Sequence, residues 1–292
     1  MRPQVSATKA KKLNASIKTS SKSKKLILVL VILLVFSTLS AATSRFQLSK
    51  PLDISLSAGP VALVGANYAW EKAQAVSSYS GTPATAQSEL NFLDKSAIFQ
   101  YNATLDKAST ISTIALLAAP SVFIFSDSNY FTYGLMYFET IAMTYGLKEL
   151  CKNLVERQRP YLYNAGYPEA ELSNGDYTRS FPSGHTALAF ASATYLTTVL
   201  TLDRTDATYR IPVIAASYVL AATVATTRVL SGNHYITDIL AGALLGSLCG
   251  VAIPLLHTMQ QDSTSSLSGV SSSAGALSVS ISPAGVYLGV RL

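Results

Sequence analysis

Apolar positions along this chain are gathered into runs rather than spread evenly. Five of them fall between residues 109 and 256: 109–126 (STISTIALLAAPSVFIFS), 129–147 (NYFTYGLMYFETIAMTYGL), 185–201 (HTALAFASATYLTTVLT), 211–227 (IPVIAASYVLAATVATT) and 236–256 (ITDILAGALLGSLCGVAIPLL). Each is near the length at which a helix crosses a hydrocarbon core. They are rich in Ala, Gly, Ser and Thr, which suits helices packed closely on one another. One such run alone reads equally well as a buried helix of a soluble bundle. Five in succession predict an all-α, multi-pass transmembrane helical bundle.

The flanking segments are less decided. Leu26–Phe36 is apolar, follows a lysine-rich tail and precedes small residues near Ser40 and Ala42. Residues 1–43 therefore read as a basic region plus either a cleaved signal peptide or a retained signal anchor. Residues 44–108 form a connecting segment. Within it 54–70 is weakly apolar and contains Gly59-Pro60, so it can span, lie in the interface or be extended. The core is expected over 109–257. Residues 258–292 turn to Ser and Gly, with alternating Leu277, Val279, Ile281 and then Val286, Leu288, Val290. That is the pattern of a short β-hairpin, against the plainer reading of a disordered tail.

Composition supports the membrane reading. Only 13% of the 292 residues are charged, 49% are hydrophobic and mean hydropathy is +0.31, against about 25% charged in an average soluble domain. Two cysteines exclude a disulfide scaffold. The net charge of +6 misleads if read whole. The first 25 residues hold Arg2 and seven lysines without an acid, which leaves the remainder slightly acidic. A nucleic-acid partner is therefore not expected.

Three short segments carry the chemistry. In the first, Lys152 is followed after six residues by Arg159-Pro160. The second is Pro182-Ser183-Gly184-His185, and the third runs from Arg228 through His234 to Asp238. Every one lies at the end of an apolar run, and alternation of direction brings all of them to one face of the membrane. Lys152, Arg159 and Arg228 together call for an anion between them, and forked guanidinium groups fit phosphate oxygens. Gly184 opens a helix whose free amides favour an anion, and the Ser183 hydroxyl can donate to it. His234 and Asp238 are four apart, so on a helix they share a face, and the carboxylate can orient the imidazole as a nucleophile. His185 can act as acid and then base. The set thus describes phosphoryl transfer through a phosphohistidine, with no metal or cofactor required.

Taken together, the three segments resemble the three-part signature of the type 2 phosphatidic acid phosphatase superfamily, a group that also contains vanadium haloperoxidases. Thr227 stands where that family usually has Ser, which keeps a hydroxyl. The motif region covers 152–238, and the helical pattern extends the likeness to about 109–256. The resemblance implies a six-helix core and hydrolysis of a phosphomonoester or diphosphate. It assigns His234 as nucleophile, His185 as acid and base, Asp238 as orienting carboxylate, and Lys152, Arg159, Ser183, Gly184 and Arg228 as phosphate ligands. The apolar helices favour a lipid phosphate as substrate: phosphatidate, phosphatidylglycerophosphate, a polyprenyl diphosphate or a lipid A type. The rivals are vanadate-dependent halogenation in the same pocket and a non-catalytic headgroup binder.

Two further expectations concern placement. His234, Asp238, Gly242, Gly246 and Gly250 step by fours, as do His185, Ala189 and Ala193. Both small-residue stripes should face the bundle interior. Glu139 lies inside a span, where a bond to a neighbouring helix is its expected role over a functional one. The lysine tail fixes the cytoplasmic side of a cell (inner) membrane. If 54–70 does not cross, the site faces the extracytoplasmic or periplasmic side; if it crosses, the site is cytoplasmic. The first of these is the expectation.

Overall fold

In this computed structural model the described residues are 44–73, 81, 83, 85–125, 128–173, 175–205, 207–265, 277–282 and 285–290. The signal or anchor at 1–43 lies outside them. Among them are six long helices. They are α1 (Lys50–Ala73), α3 (Ala103–Phe125), α4 (Tyr130–Val155), α6 (Gly184–Asp203), α7 (Arg210–Leu230) and α8 (Ile236–Ser265), with two short ones, α2 (Phe92–Lys95) and α5 (Glu169–Ser173). All five expected runs are thus helical. Strand β1 (Leu277–Ser282) pairs antiparallel with β2 (Gly285–Val290), Leu277 opposite Val290.

Small side chains are buried between the helices, and many large apolar ones lie on the outer face. Ala187, Ala189, Ala191, Ala193, Thr140 and Thr144 are fully buried, while Ile114, Phe131, Val219, Leu240, Leu244 and Leu248 are exposed. Small side chains inside and large apolar ones outside belong to a bundle whose solvent is lipid. Among the described residues, α7 and the stretch Ile236–Thr258 of α8 are long and apolar enough to cross on composition alone. The inner faces of other helices carry hydroxyl groups, among them Ser109 and Thr113 of α3, Thr140 and Thr144 of α4, and Thr194 and Thr198 of α6. Hydroxyls in α6 are paired within the helix: Thr197 donates to the Ala193 carbonyl at 2.8 Å and Thr198 to that of Thr194 at 2.8 Å, which satisfies these donors in an apolar medium.

Both predicted small-residue stripes are interior, but they meet different neighbours. A Cβ on Gly242 would sit 2.5 Å from the Ser183 carbonyl oxygen, one on Gly246 2.0 Å from that of Ala187, and one on Gly250 2.8 Å from that of Ala191. The glycine face of α8 therefore lies directly on the backbone of α6. The other stripe of α6, Ala189 and Ala193, instead packs with Leu116 of α3 and Ala221 and Val224 of α7.

The ambiguous stretch 54–70 lies wholly within α1. This helix runs parallel to α4: the Ser57 hydroxyl donates to Glu139 Oε1 at 3.0 Å, and Asn67 Nδ2 donates to the Gly146 carbonyl at 3.0 Å. Twenty-four residues at 1.5 Å each give about 36 Å, so α1 is as tall as its neighbours. The expectation of an extracytoplasmic site rested on 54–70 not crossing; in the fold this stretch is a helix alongside α4.

Candidate active site

Four helix ends converge at one end of the bundle. The C-terminal turns of α4 and α7 bring Lys152 and Arg228, and the N-termini of α6 and α8 bring His185 and Asp238. Glu156 adopts a left-handed conformation (φ 47°) that ends α4 and turns the chain into Arg157–Arg159. In the loop between α7 and α8, Gly232 also has positive φ (73°), and a Cβ there would be 2.5 Å from the Phe99 carbonyl oxygen. Only glycine fits that close approach. The loop is held by the Tyr161 amide donating to the Gly232 carbonyl at 3.0 Å and the Asn102 amide donating to that of Ser231 at 3.1 Å.

A cavity of about 420 Å³ opens between these ends, lined by Lys152, Arg159, Gly184, His185, Arg228 and His234. Six of the eight residues read from the sequence therefore surround one space. His234 is almost wholly buried. Its Nε2 lies 3.3 Å from Arg159 Nη1, and its Nδ1 lies 2.8 Å from the Ser180 carbonyl oxygen. A carbonyl only accepts, so Nδ1 carries the proton and Nε2 keeps its lone pair toward the cavity. Burial, then Arg159, Arg228, Lys152 and His185, push the His234 imidazole well below its ordinary value, because each penalises imidazolium. His185 Nε2 lies 3.2 Å from the Thr110 hydroxyl of α3.

Two residues stand apart from the expected arrangement. The Ser183 hydroxyl pairs with that of Thr186 at 2.9 Å, and Ser183 is fully buried, so its hydroxyl is turned to Thr186 and not to the cavity. Asp238 does not bond the imidazole closely; Oδ2 is 3.6 Å from His234 Nδ1. Its oxygens accept from the Ser180 hydroxyl at 2.5 Å, the Tyr235 amide at 2.9 Å and Arg157 Nη1 at 2.6 Å. Asp238 therefore holds the segment whose Ser180 carbonyl fixes the tautomer, and acts through it.

Several participants carried no motif. Arg157 lies between two buried carboxylates, giving Nη2 to Asp94 at 2.7 Å and Nη1 to Asp238, with its guanidinium 4.0 Å over the Tyr235 ring. Burial pushes the Asp94 carboxyl up, but Arg157, the Thr237 amide and hydroxyl, and Asn91 outweigh it and hold it below the usual range. Arg228 is paired with Asp106 of α3, and Arg159 with Asp176. The cations are thus aimed by carboxylates before any anion arrives. Lys148 also lines the cavity, lies 3.7 Å over the Tyr145 ring and pairs with Glu149. Its spacing of four from Lys152 was the available signal. A Cβ on Gly184 would press within 3.1 Å of Lys148 Cδ. Thr227 turns its hydroxyl back to the Thr223 carbonyl at 2.7 Å, within α7.

Residues 133–262 match the family model of the PAP2 superfamily. Over that stretch the chain is similar to the superfamily. The PAP2 match holds all three motif segments, including the loops that carry Arg159 and His234. Among solved structures, a transmembrane PAP2 type phosphatidylglycerolphosphate phosphatase from Bacillus subtilis is similar at 19% identity, over 73% of this chain and 96% of that one, with a TM-score of 0.43. LpxE of Aquifex aeolicus is similar at 22% identity, over 55% and 92%, with a TM-score of 0.39. No curated protein matches the chain.

Proposed function

We propose that this protein is a membrane phosphatase of the PAP2 superfamily that removes the terminal phosphate of a lipid phosphate through a phosphohistidine on His234. The observation that carries the reading is the orientation of His234. Its lone-pair nitrogen faces a cavity ringed by Arg159, Arg228 and Lys152, while its protonated nitrogen is held from behind by the Ser180 carbonyl.

In the first step His234 Nε2 attacks phosphorus and the ester oxygen departs, taking a proton from His185. In the second, His185 takes a proton from water, whose oxygen attacks the phosphohistidine and frees inorganic phosphate together with the His234 lone pair. Arg159, Arg228 and Lys152, with the first amides of α6, stabilise the equatorial oxygens as charge develops. Asp238 and Arg157 are positioning residues, keeping Ser180 under the imidazole. The cavity lies at a bundle end, where a headgroup can enter with its acyl chains still among the exposed leucines and isoleucines.

The test is a phosphate-release panel over phosphatidate, phosphatidylglycerophosphate, undecaprenyl diphosphate and a lipid A 1-phosphate, presented in mixed micelles. The wild-type chain should release phosphate from at least one, with His234→Ala and His185→Ala reduced by about 10³-fold or more. Wild-type rates in His234→Ala would refute the mechanism. Bromination appearing only with added vanadate, without phosphate release, would favour the haloperoxidase reading.

A further inference from the structure

A second cluster of ionisable side chains lies at the other end of the bundle. It joins Asp53 in the first turn of α1, Glu139 in α4 and His257 near the end of α8. His257 follows Asp238 by nineteen residues in one helix, so about 28 Å separates this cluster from the cavity.

The cluster has an unbalanced set of lone pairs. His257 Nδ1 lies 2.8 Å from the Ile253 carbonyl oxygen, which can only accept. The ring therefore protonates Nδ1 and leaves the Nε2 lone pair outward. That nitrogen lies 3.2 Å from Asp53 Oδ1 and 3.3 Å from Glu139 Oε2. Glu139 and His257 are fully buried, and Glu139 Oε2 has no hydrogen-bond donor among the described residues. With His257 neutral in that tautomer, three acceptor atoms point at one another, an arrangement that a cation held between them satisfies.

We propose that Asp53, Glu139 and His257 bind one divalent transition-metal ion, with zinc the best fit. Nitrogen and carboxylate oxygens at bonds of about 2.0–2.1 Å around a tetrahedral ion stand about 3.3 Å apart, which is the spacing of both His257 contacts. The three ligand atoms lie within 4.8 Å of one another. Two carboxylates and a neutral imidazole cancel the ion's charge. The outer contacts suit ligands as well: the Ser57 hydroxyl fixes Glu139 Oε1, and the Ile253 carbonyl fixes the His257 tautomer. The Asp53 side chain, 15% exposed, reaches the rim and gives the ion a way in. Each ligand comes from a different helix, so the ion would tie α1, α4 and α8 together at the end away from the chemistry.

The experiment uses the full chain in detergent with a tag free of histidine. After equilibration with ZnSO₄ and gel filtration, metal per chain is measured by plasma mass spectrometry and unfolding by intrinsic fluorescence. Wild type and His234→Ala should each retain one zinc, and a chelator should lower the unfolding temperature of both. Glu139→Gln should lose the ion and the chelator response. Asp53→Asn, at the rim and least able to disturb the fold, should do the same while keeping the helical circular dichroism of the wild type. Wild type that holds no zinc and is unmoved by it would overturn the proposal, in favour of a proton shared within the cluster. So would zinc retained equally by Asp53→Asn and Glu139→Gln but lost by His234→Ala.

Discussion

At the residue scale the site turns on who holds His234. Spacing placed Asp238 one helical turn away and suggested direct contact. The structure interposes the Ser180 carbonyl at 2.8 Å and leaves Asp238 at 3.6 Å. Asp238→Asn should therefore lower kcat with little change in KM, because substrate contacts are untouched. An unchanged kcat would contradict its positioning role. Arg157 answers two buried carboxylates at once. Replacing it with Met leaves both uncompensated and should cost about 3–5 kcal/mol of stability, visible as a lowered unfolding temperature. A wild-type temperature would count against the pairing. The depressed His234 imidazole has a signed consequence. A base whose folded value lies below the ordinary 6.5 stays neutral as pH falls through 6.5, so the acid limb of kcat/KM should lie below that pH. The unfolded chain takes up the proton first, so this residue's share of stability starts to be lost below 6.5. An acid limb at or above 6.5 in the free enzyme would show that imidazolium is not penalised there.

At the element scale the helix pair α6–α8 sets the geometry, since these two helices begin with His185 and Asp238. Gly246 rests on the Ala187 carbonyl at a distance no Cβ tolerates. Backbone cannot move aside as a side chain can, so Gly246→Ala should cost about 1–3 kcal/mol and Gly246→Leu should prevent folding. Wild-type thermal stability of either would contradict the packing. The four-residue glycine step was legible in the sequence, because a helix converts that step into a face. What it could not show was the partner: Ser183, Ala187 and Ala191 meet α8, whereas Ala189 and Ala193 meet α3 and α7. The same holds for the cations. Lys152, Arg159 and Arg228 stood out by motif spacing, but Asp106, Asp176 and Asp94, which aim or balance the arginines, lie in segments with no motif of their own. Their roles depend on contacts between residues as far apart as Asp106 and Arg228, which no local spacing records. Ser183 shows the reverse case: it sits within a motif, yet its hydroxyl turns inward to Thr186.

For the whole molecule, the bundle fixes which ends lie together. Residue 47 donates its amide to the His257 carbonyl at 3.0 Å, so the start of α1 and the end of α8 share the end opposite the cavity. If the 26–36 run crosses from a cytoplasmic tail and α1 returns the chain, the cavity faces the cytoplasm. Single cysteines introduced at Ser49 and at Lys95 in a chain lacking Cys151 and Cys249 should then be labelled from opposite sides, Ser49 by an impermeant reagent added outside. Labelling of both from one side would contradict the parallel placement of α1 and α4. The central claim is chemical, and trapping tests it most directly. A lipid substrate carrying ³²P in its terminal phosphate is mixed with the protein and quenched in alkali. The account predicts acid-labile, alkali-stable label on the peptide containing His234, absent in His234→Ala. Release of labelled phosphate at full rate with no label ever found on His234 would contradict it.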